Sequence, residues 1–437
     1  TDAPLPPLAP GLPLLGNAIQ MGGDTVRFLA GMYQQLGPVF RVRALTRELV
    51  ILGGLDANRF MAQAGDSVLS GSEFFGGLND ELDSTLVFPA LDGDEHRYYR
   101  KLFRPSYSRD AVAGRFDELM ALTRRRMATF AVGERIQAVP TMQQIITDQL
   151  GYALAGSVSG EYFDDLRGTL STLIATKLMK SAPEFMLRLP NYRRKRERSQ
   201  AFMRQLLELH RAHPHAENGD LIDAALRATG YDGQPLSIKD LEAIGFGAFF
   251  AGMDTAAHTT SFTLYLLLKH PAIMRQAVAE IDDLFAQEAF TFRDLRHMKT
   301  LHADVIEGMR LYPVAPIMPR HATQTFEFGG YRVQQGAHIM MVTALTHYLP
   351  EHFPNPETFD ITRPTPAPFT FAPFGLGAHT CMGAGLADVL IMLTLATLLH
   401  RLAIALDPPD FEMEVIGVPV PNPGPKFHIR VTGVRGV

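Results

Sequence analysis

Residues 371–389 read FAPFGLGAHTCMGAGLADV, and Cys381 within them is the only cysteine of the 437-residue chain. A lone cysteine is ordinarily a small buried hydrophobe. Here Gly375 and Gly377 precede it, Gly383 and Gly385 follow it, and the run LADVLIMLTLATLLHRL beyond has the apolar spacing of a buried helix. The spacing therefore predicts Cys381 just before a helix N-terminus. Unpaired N–H groups and the positive end of the helix dipole there favour an anion, so a lowered thiol pKa and hydrogen bonds to a thiolate sulfur are expected. The glycines allow a tight turn and close approach to something flat. An activated thiolate serves as nucleophile or as metal ligand, and a single cysteine excludes disulfide chemistry and multi-cysteine zinc or iron–sulfur sites.

Working outward, the composition of 46% hydrophobic and 20% charged residues describes a globular chain with an extensive core. No compositional break divides it, so residues 1–437 are read as one domain, with 1–16 a proline-rich segment running extended over the surface. The net charge of -5 argues against a nucleic-acid partner. The cysteine usage fits a reducing cytoplasm. No stretch reaches the roughly 18 consecutive apolar residues of a membrane-spanning helix, the runs near 245–253 and 389–399 falling short, so no transmembrane segment is expected. Numbering from Thr1 leaves room for a segment upstream.

The chain reads as mainly α with a minor β region. Short β-type runs appear at FRVRA, ELVILGG, EFGGYRV and HIMMVTAL, with YRV and HIMMV flanking the turn QQGA. From Arg109 to about Ala286 the period is almost entirely helical, broken by HPHAENGD and TGYDGQPLS. Ser237, with Asp240 three residues on, marks the start of a helix whose pattern continues unbroken to His270, roughly 50 Å at 1.5 Å per residue. Its middle, GFGAFFAGMDTAAH, is apolar on nearly every side yet contains Asp254 and Thr255, which are locally unfavourable there.

These residues match a known pattern. FGLGAHTCMG, 374–383, resembles the haem-ligand loop of the cytochrome P-450 superfamily, and AGMDT (251–255), EGMR (307–310) and FDITR (359–363) stand in that family's order. Each motif alone occurs by chance; four in order around the sole cysteine are specific. The resemblance spans essentially the whole chain, is closest to the soluble bacterial type, and implies the family's fold, with haem between the long distal helix and the helix after the cysteine loop.

It implies further that haem b (iron protoporphyrin IX) has Cys381 as its axial thiolate, an electron-donating ligand that favours O–O cleavage; the haem-thiolate enzymes are a standard example of this effect. Phe374 is expected beneath the porphyrin and Ala251 and Thr255 above it. His379 is expected at a propionate, as are Arg320 in IMPRHAT and, one helical turn apart in HRYYRK, His96 and Arg100. Glu307 and Arg310 are expected to form a buried structural cluster with Arg363. Where relatives often have His-Arg-Asp-Pro, this chain has His347-Tyr348-Leu349-Pro350. Asp254 and Thr255 are the candidate catalytic pair, relaying protons to bound dioxygen, and Thr255 can bond the carbonyl of Ala251 and open the helix there. His258 is read as a packed or surface neighbour.

The expected activity is that of a haem-thiolate monooxygenase that hydroxylates or epoxidises a lipophilic small molecule. Pocket candidates are Gly247, Phe250 and Ala251 with Ala315, Pro316, Ile317 and Met318, all apolar. Electrons would come from a separate ferredoxin or flavoprotein, with Arg97, Lys101 and Arg104 suggesting an acidic partner. A haem-thiolate peroxygenase or rearrangement enzyme, and a non-catalytic haem-binding ligand carrier, are the alternatives. The basic run YRRKRER, 192–198, reads as a solvated helix face.

Overall fold

The computed structural model describes residues 2–214, 219–417 and 420–435. Helices relevant to the site are α1 (Gly93–Phe103), α2 (Phe116–Met127), α3 (Ala138–Ala155), α4 (Pro190–Ala212), α5 (Ile238–Met253), α6 (Thr255–Lys269), α7 (Lys299–Leu311) and α8 (Ala384–Arg401). The strands are β1 (Val39–Ala44), β2 (Arg47–Gly53), β3 (Leu69–Ser70), β4 (Arg135–Gln137), β5 (Met318–Ala322), β6 (Phe326–Phe328), β7 (Tyr331–Val333), β8 (His338–Val342), β9 (Leu402–Leu406) and β10 (His428–Val434). The main sheet runs β1-β2-β8-β5-β3, a second sheet runs β4-β10-β9, and β6-β7 is a separate ribbon. The segment HPHAENGD falls partly outside the described residues, at 215–218.

Helices α5 and α6 form the central rod. The Ser237 hydroxyl accepts from the backbone N–H of Asp240 at 3.1 Å, as a helix cap should. Asp240 does not close a reciprocal box; its carboxylate instead accepts from the Ser84 hydroxyl at 2.8 Å and the Thr85 N–H at 3.0 Å, tying the rod to the loop before α1. The rod is not the unbroken helix expected from the sequence, because it divides at Asp254. Beyond the break the buried sequence is rich in hydroxyls, and Thr259, Thr260, Ser261 and Thr263 each donate to the carbonyl four residues back at 2.7–2.9 Å. These bonds satisfy the buried hydroxyls within their own helix, a pattern that tends to bend it. α6 packs against α3, α7 and α8, and α2 covers the other side of α8.

The helix expected after Cys381 is α8, buried almost throughout from Leu386 to Leu399. The run Gly377–Arg401 is long and apolar enough to cross a membrane by length and composition, contrary to the sequence reading, but 67% of its apolar window is buried among the other helices. Burial on all sides explains why it is apolar all round. YRV and HIMMV lie on either side of the turn QQGA, but in different sheets: YRV pairs with β6 across Gly329–Gly330, while HIMMV lies parallel to β2 and antiparallel to β5. The proline-rich start runs extended along β1, where Arg41 donates to the Pro7 carbonyl at 2.7 Å and covers a sheet edge.

One buried group opposes the fold. Asp304 on α7 is 0% exposed, and neither carboxylate oxygen has a partner among the described residues. Burial, reinforced by nearby Glu307, pushes its pKa well above the usual carboxylate range. The folded state thus holds a proton that the unfolded chain releases above about pH 4, so this side chain makes stability fall as pH rises from there through the raised folded pKa. Asp304→Val removes the orphaned oxygens at similar volume and is expected to stabilise the protein by about 1–3 kcal/mol at neutral pH. Unfolding midpoints of wild type and variant across pH check this, and the gain should shrink toward pH 4.

Candidate active site

The loop carrying Cys381 is built by short-range backbone bonds. Gly375 N–H donates to the Ala372 carbonyl at 3.2 Å, Thr380 N–H to Gly377 at 3.1 Å, and Cys381 N–H to Phe374 at 2.9 Å. Gly377 has φ +76°, and a Cβ there would lie 2.7 Å from the Met61 carbonyl oxygen, so glycine is required on both conformational and steric grounds. The loop is tied outward by Ala378 N–H to Asp66 Oδ2 at 3.0 Å and by Arg100, which donates to the Thr380 carbonyl. Phe374 is half-buried beside the core.

Cys381 lies three residues before α8, as expected, and its thiol has accessible surface. The electrostatic expectation is overturned. Burial pushes the thiol pKa up, outweighing the Gly383 N–H and the Arg100 cation, which pull it down. In the protein alone the thiol is therefore held toward its neutral form.

Basic side chains gather beside this loop. His96, 4% exposed on α1, stacks on His379 with ring centroids 4.0 Å apart. His379 Nε2 lies 3.3 Å from Asp92 Oδ1, and Asp92 also accepts from the Ser70 hydroxyl. Burial raises the Asp92 pKa, but these bonds overcome it and the net shift is downward. Burial, His379 and Arg100 together depress His96 to about 4, so it is a neutral ring. Arg320 on β5 is 5% exposed; its Nη1 donates to its neighbour Pro319 at 2.8 Å, and its Nε has no partner among the described residues. Burial lowers its pKa, with Asp66 and Asp92 opposing. Arg320 and the two imidazoles are thus gathered around Asp66 and Asp92, with Arg100 beside Cys381, and a buried guanidinium with an orphaned N–H is costly unless an anion meets it.

On the rod, Ala251 is exposed and Gly247, Phe250, Asp254 and Thr255 are half-buried, although their neighbours are buried. Their spacing of three and four puts them on one stripe, and a Cβ at Gly247 would meet no atom within 4 Å. The stripe therefore borders open space inside the protein. Thr255 Oγ1 donates to the Ala251 carbonyl at 2.9 Å, at the break. Asp254 Oδ1 accepts from the Gln143 amide on α3 at 2.7 Å. His258 is 5% exposed, so it is a packed neighbour of Asp254 and not a surface one. Ala315 is exposed and Pro316 to Met318 are half-buried; Met318 Sδ would lie 3.3 Å from a Cβ on Gly375, which places that segment against the cysteine loop.

The Glu307 cluster stands behind the loop. All five Arg310 N–H groups are used: Nε and Nη2 to the two Glu307 oxygens at 2.8 and 2.7 Å, Nη1 to the carbonyls of His347 and Pro356, and Nη2 also to Thr358. Arg363 Nε completes Glu307 at 3.0 Å. Of the basic run 192–198, Arg196 pairs with Glu81 and Arg198 with Asp165 and Glu161, while Arg193 and Arg194 are exposed on α4. Arg97, Lys101 and Arg104 are exposed, with Arg97 paired to Asp94. Sequence reasoning missed Asp92, Gln143 and the His347 side chain. The one available signal was Gln143, a polar residue within an apolar stretch of helix.

A flat dianion with a metal that accepts a sulfur donor fits this donor set: one thiol, a group of buried bases with an orphaned Arg320 N–H, and an apolar stripe. The model of the cytochrome P-450 family matches residues 6–428. A cytochrome P-450 of Mycobacterium tuberculosis, designated 135B1, is 27% identical over 97% of this chain and 92% of its own length. The cyclooctat-9-en-7-ol 5-monooxygenase of Streptomyces melanosporofaciens is 28% identical over 90% and 88%. A cyanobacterial P-450 structure with retinoic acid bound superposes with a TM-score of 0.84 at 22% identity, covering 99% of this chain and 100% of that one, and so shares the fold. The chain belongs to the cytochrome P-450 family. It is a haem-iron monooxygenase that uses dioxygen and electrons from a redox partner.

Proposed function

We propose that the chain acts as a single catalytic domain in the cytoplasm, binding haem b and hydroxylating or epoxidising a lipophilic small molecule with electrons from a separate ferredoxin or flavoprotein. The single observation that carries this reading is the break at Asp254, where the Thr255 hydroxyl donates to the Ala251 carbonyl and Gln143 holds the Asp254 carboxylate. A hydroxyl beside an acid, on the accessible stripe of an otherwise buried helix, suits proton delivery.

Haem iron, when bound, supplies dioxygen activation. Cys381 would be its thiolate ligand, and the metal would lower a thiol pKa that burial alone raises. His96, Arg100, Arg320 and His379 would receive the propionates, and Phe374 would pack beneath the ring. Thr255 spends its proton on Ala251 and keeps its lone pairs free to accept a proton or a water. Asp254, fixed by Gln143, would take protons from solvent water and pass them on toward the Thr255 hydroxyl. Gly247, Phe250 and Ala251, with Ala315 to Met318, offer an apolar wall that suits a lipophile and excludes water; cyclooctat-9-en-7-ol, named as the substrate of the Streptomyces relative, is of that character.

The test is Thr255→Ala. Haem loading and ligand affinity should survive, while product formed per reductant oxidised falls by about one to two orders of magnitude and hydrogen peroxide rises in its place. Supplied peroxide, which brings its own protons, should restore part of the product. Unchanged coupling would remove Thr255 from the relay.

A further inference from the structure

The segment His347-Tyr348-Leu349-Pro350 lies between the end of β8 and the cysteine loop and is buried from His347 to Leu349. The Tyr348 hydroxyl donates to the Leu311 carbonyl at 2.6 Å, closing this turn onto the end of α7. His347 turns inward and is 0% exposed. Its carbonyl accepts from Arg310 Nη1 at 3.0 Å, and its ring lies 5.2 Å from that of Phe371 and 6.2 Å from that of Phe353. Its Nε2 accepts the backbone N–H of Ala372 at 3.2 Å. Its Nδ1, which must then carry the proton, has no partner among the described residues.

A buried donor without a partner is a standing penalty, so the ring is held there for what Nε2 does. From Ala372 the bonding continues: its carbonyl accepts from Gly375 N–H at 3.2 Å, and the carbonyl of Phe374, inside the same turn, accepts from Cys381 N–H at 2.9 Å. One hydrogen-bonded series thus runs from the Glu307–Arg310 pair through His347 to the backbone of Cys381. Burial, with Arg310 adding to it, depresses the imidazole to about 3, so Nε2 is a lone-pair acceptor at any pH the protein meets.

We propose that the His347 side chain is a positioning residue for the sulfur ligand, fixing the start of the 371–381 loop by accepting the Ala372 N–H. This rests on the reading of Cys381 as the haem ligand. Lacking that acceptor, Ala372 N–H is orphaned in the core and the turn that sets the Cys381 backbone is free to shift.

The experiment uses the haem-loaded protein and the reduced carbon monoxide spectrum, which reports the sulfur ligand independently of turnover, alongside unfolding midpoints. His347→Leu keeps the volume and removes the acceptor; His347→Gln places an acceptor near the site of Nε2. The leucine variant should lose most of the long-wavelength band to the short-wavelength form while keeping its helical signal, and the glutamine variant should retain the band. A full band in His347→Leu, or equal loss in both variants, overturns the proposal. If the leucine variant does not fold, His347→Gln decides alone: a retained band supports the proposal and a lost band overturns it. Absence of the band in wild type would instead refute the ligand assignment.

Discussion

Arg310→Ala is expected to cost about 3–5 kcal/mol and to yield haem-free or unfolded protein, because it removes one partner of a buried ion pair and leaves the other charge in place. Arg310 is 1% exposed, and its guanidinium meets both oxygens of Glu307 and three backbone carbonyls, so alanine strands several acceptors at once. Arg363 remains as a second cation for Glu307 at 3.0 Å but meets it through Nε alone, its other donors being committed to the carbonyls of Pro354, Asn355 and Thr358. Arg310→Lys keeps the charge with fewer donors and is expected to fall between the two. Haem content per folded protein and the denaturation midpoint measure both. Soluble, fully loaded Arg310→Ala would show that the cluster does not support the cysteine loop.

The sequence made the local features legible. The glycines around Cys381, the all-apolar α8 and the Glu307–Arg310 spacing are properties of near neighbours along the chain, and each lies where its pattern placed it. What stayed hidden depends on partners far apart. Gln143 meets Asp254 across 111 positions, and His379 meets Asp92 from another part of the fold. The break at Asp254 had no periodic signature, since a helix buried on every side has no polar face whose phase could shift; only the Thr255 hydroxyl, able to bond the Ala251 carbonyl and open the helix, marked it. The pairing of Tyr331–Val333 with β6 had a local signal in the two-residue Gly329–Gly330 turn, which reading EFGGYRV as a single run passed over. The direction of the Cys381 shift was misjudged for a related reason: the dipole and N–H groups are local and readable, whereas the desolvation that outweighs them comes from the whole fold.

The second large effect follows from the same thiol. Cys381 is the only cysteine, so no other thiol in the chain can replace it. Histidine at this position offers nitrogen in place of thiolate, and serine offers a weakly acidic hydroxyl; neither donates electron density as sulfur does, and monooxygenation should be abolished in both. Because the loop backbone is held by Gly375, Phe374 and Gly377 contacts that do not involve the sulfur, the fold should persist in either variant. The direct measurement is the absorption spectrum of the reduced carbon monoxide complex, wild type against Cys381→His. Wild type should show the long-wavelength band of a sulfur-ligated haem and the variant should lack it while still binding haem. Retention of that band in Cys381→His, or its absence from loaded wild type, would contradict the assignment of Cys381 as the ligand.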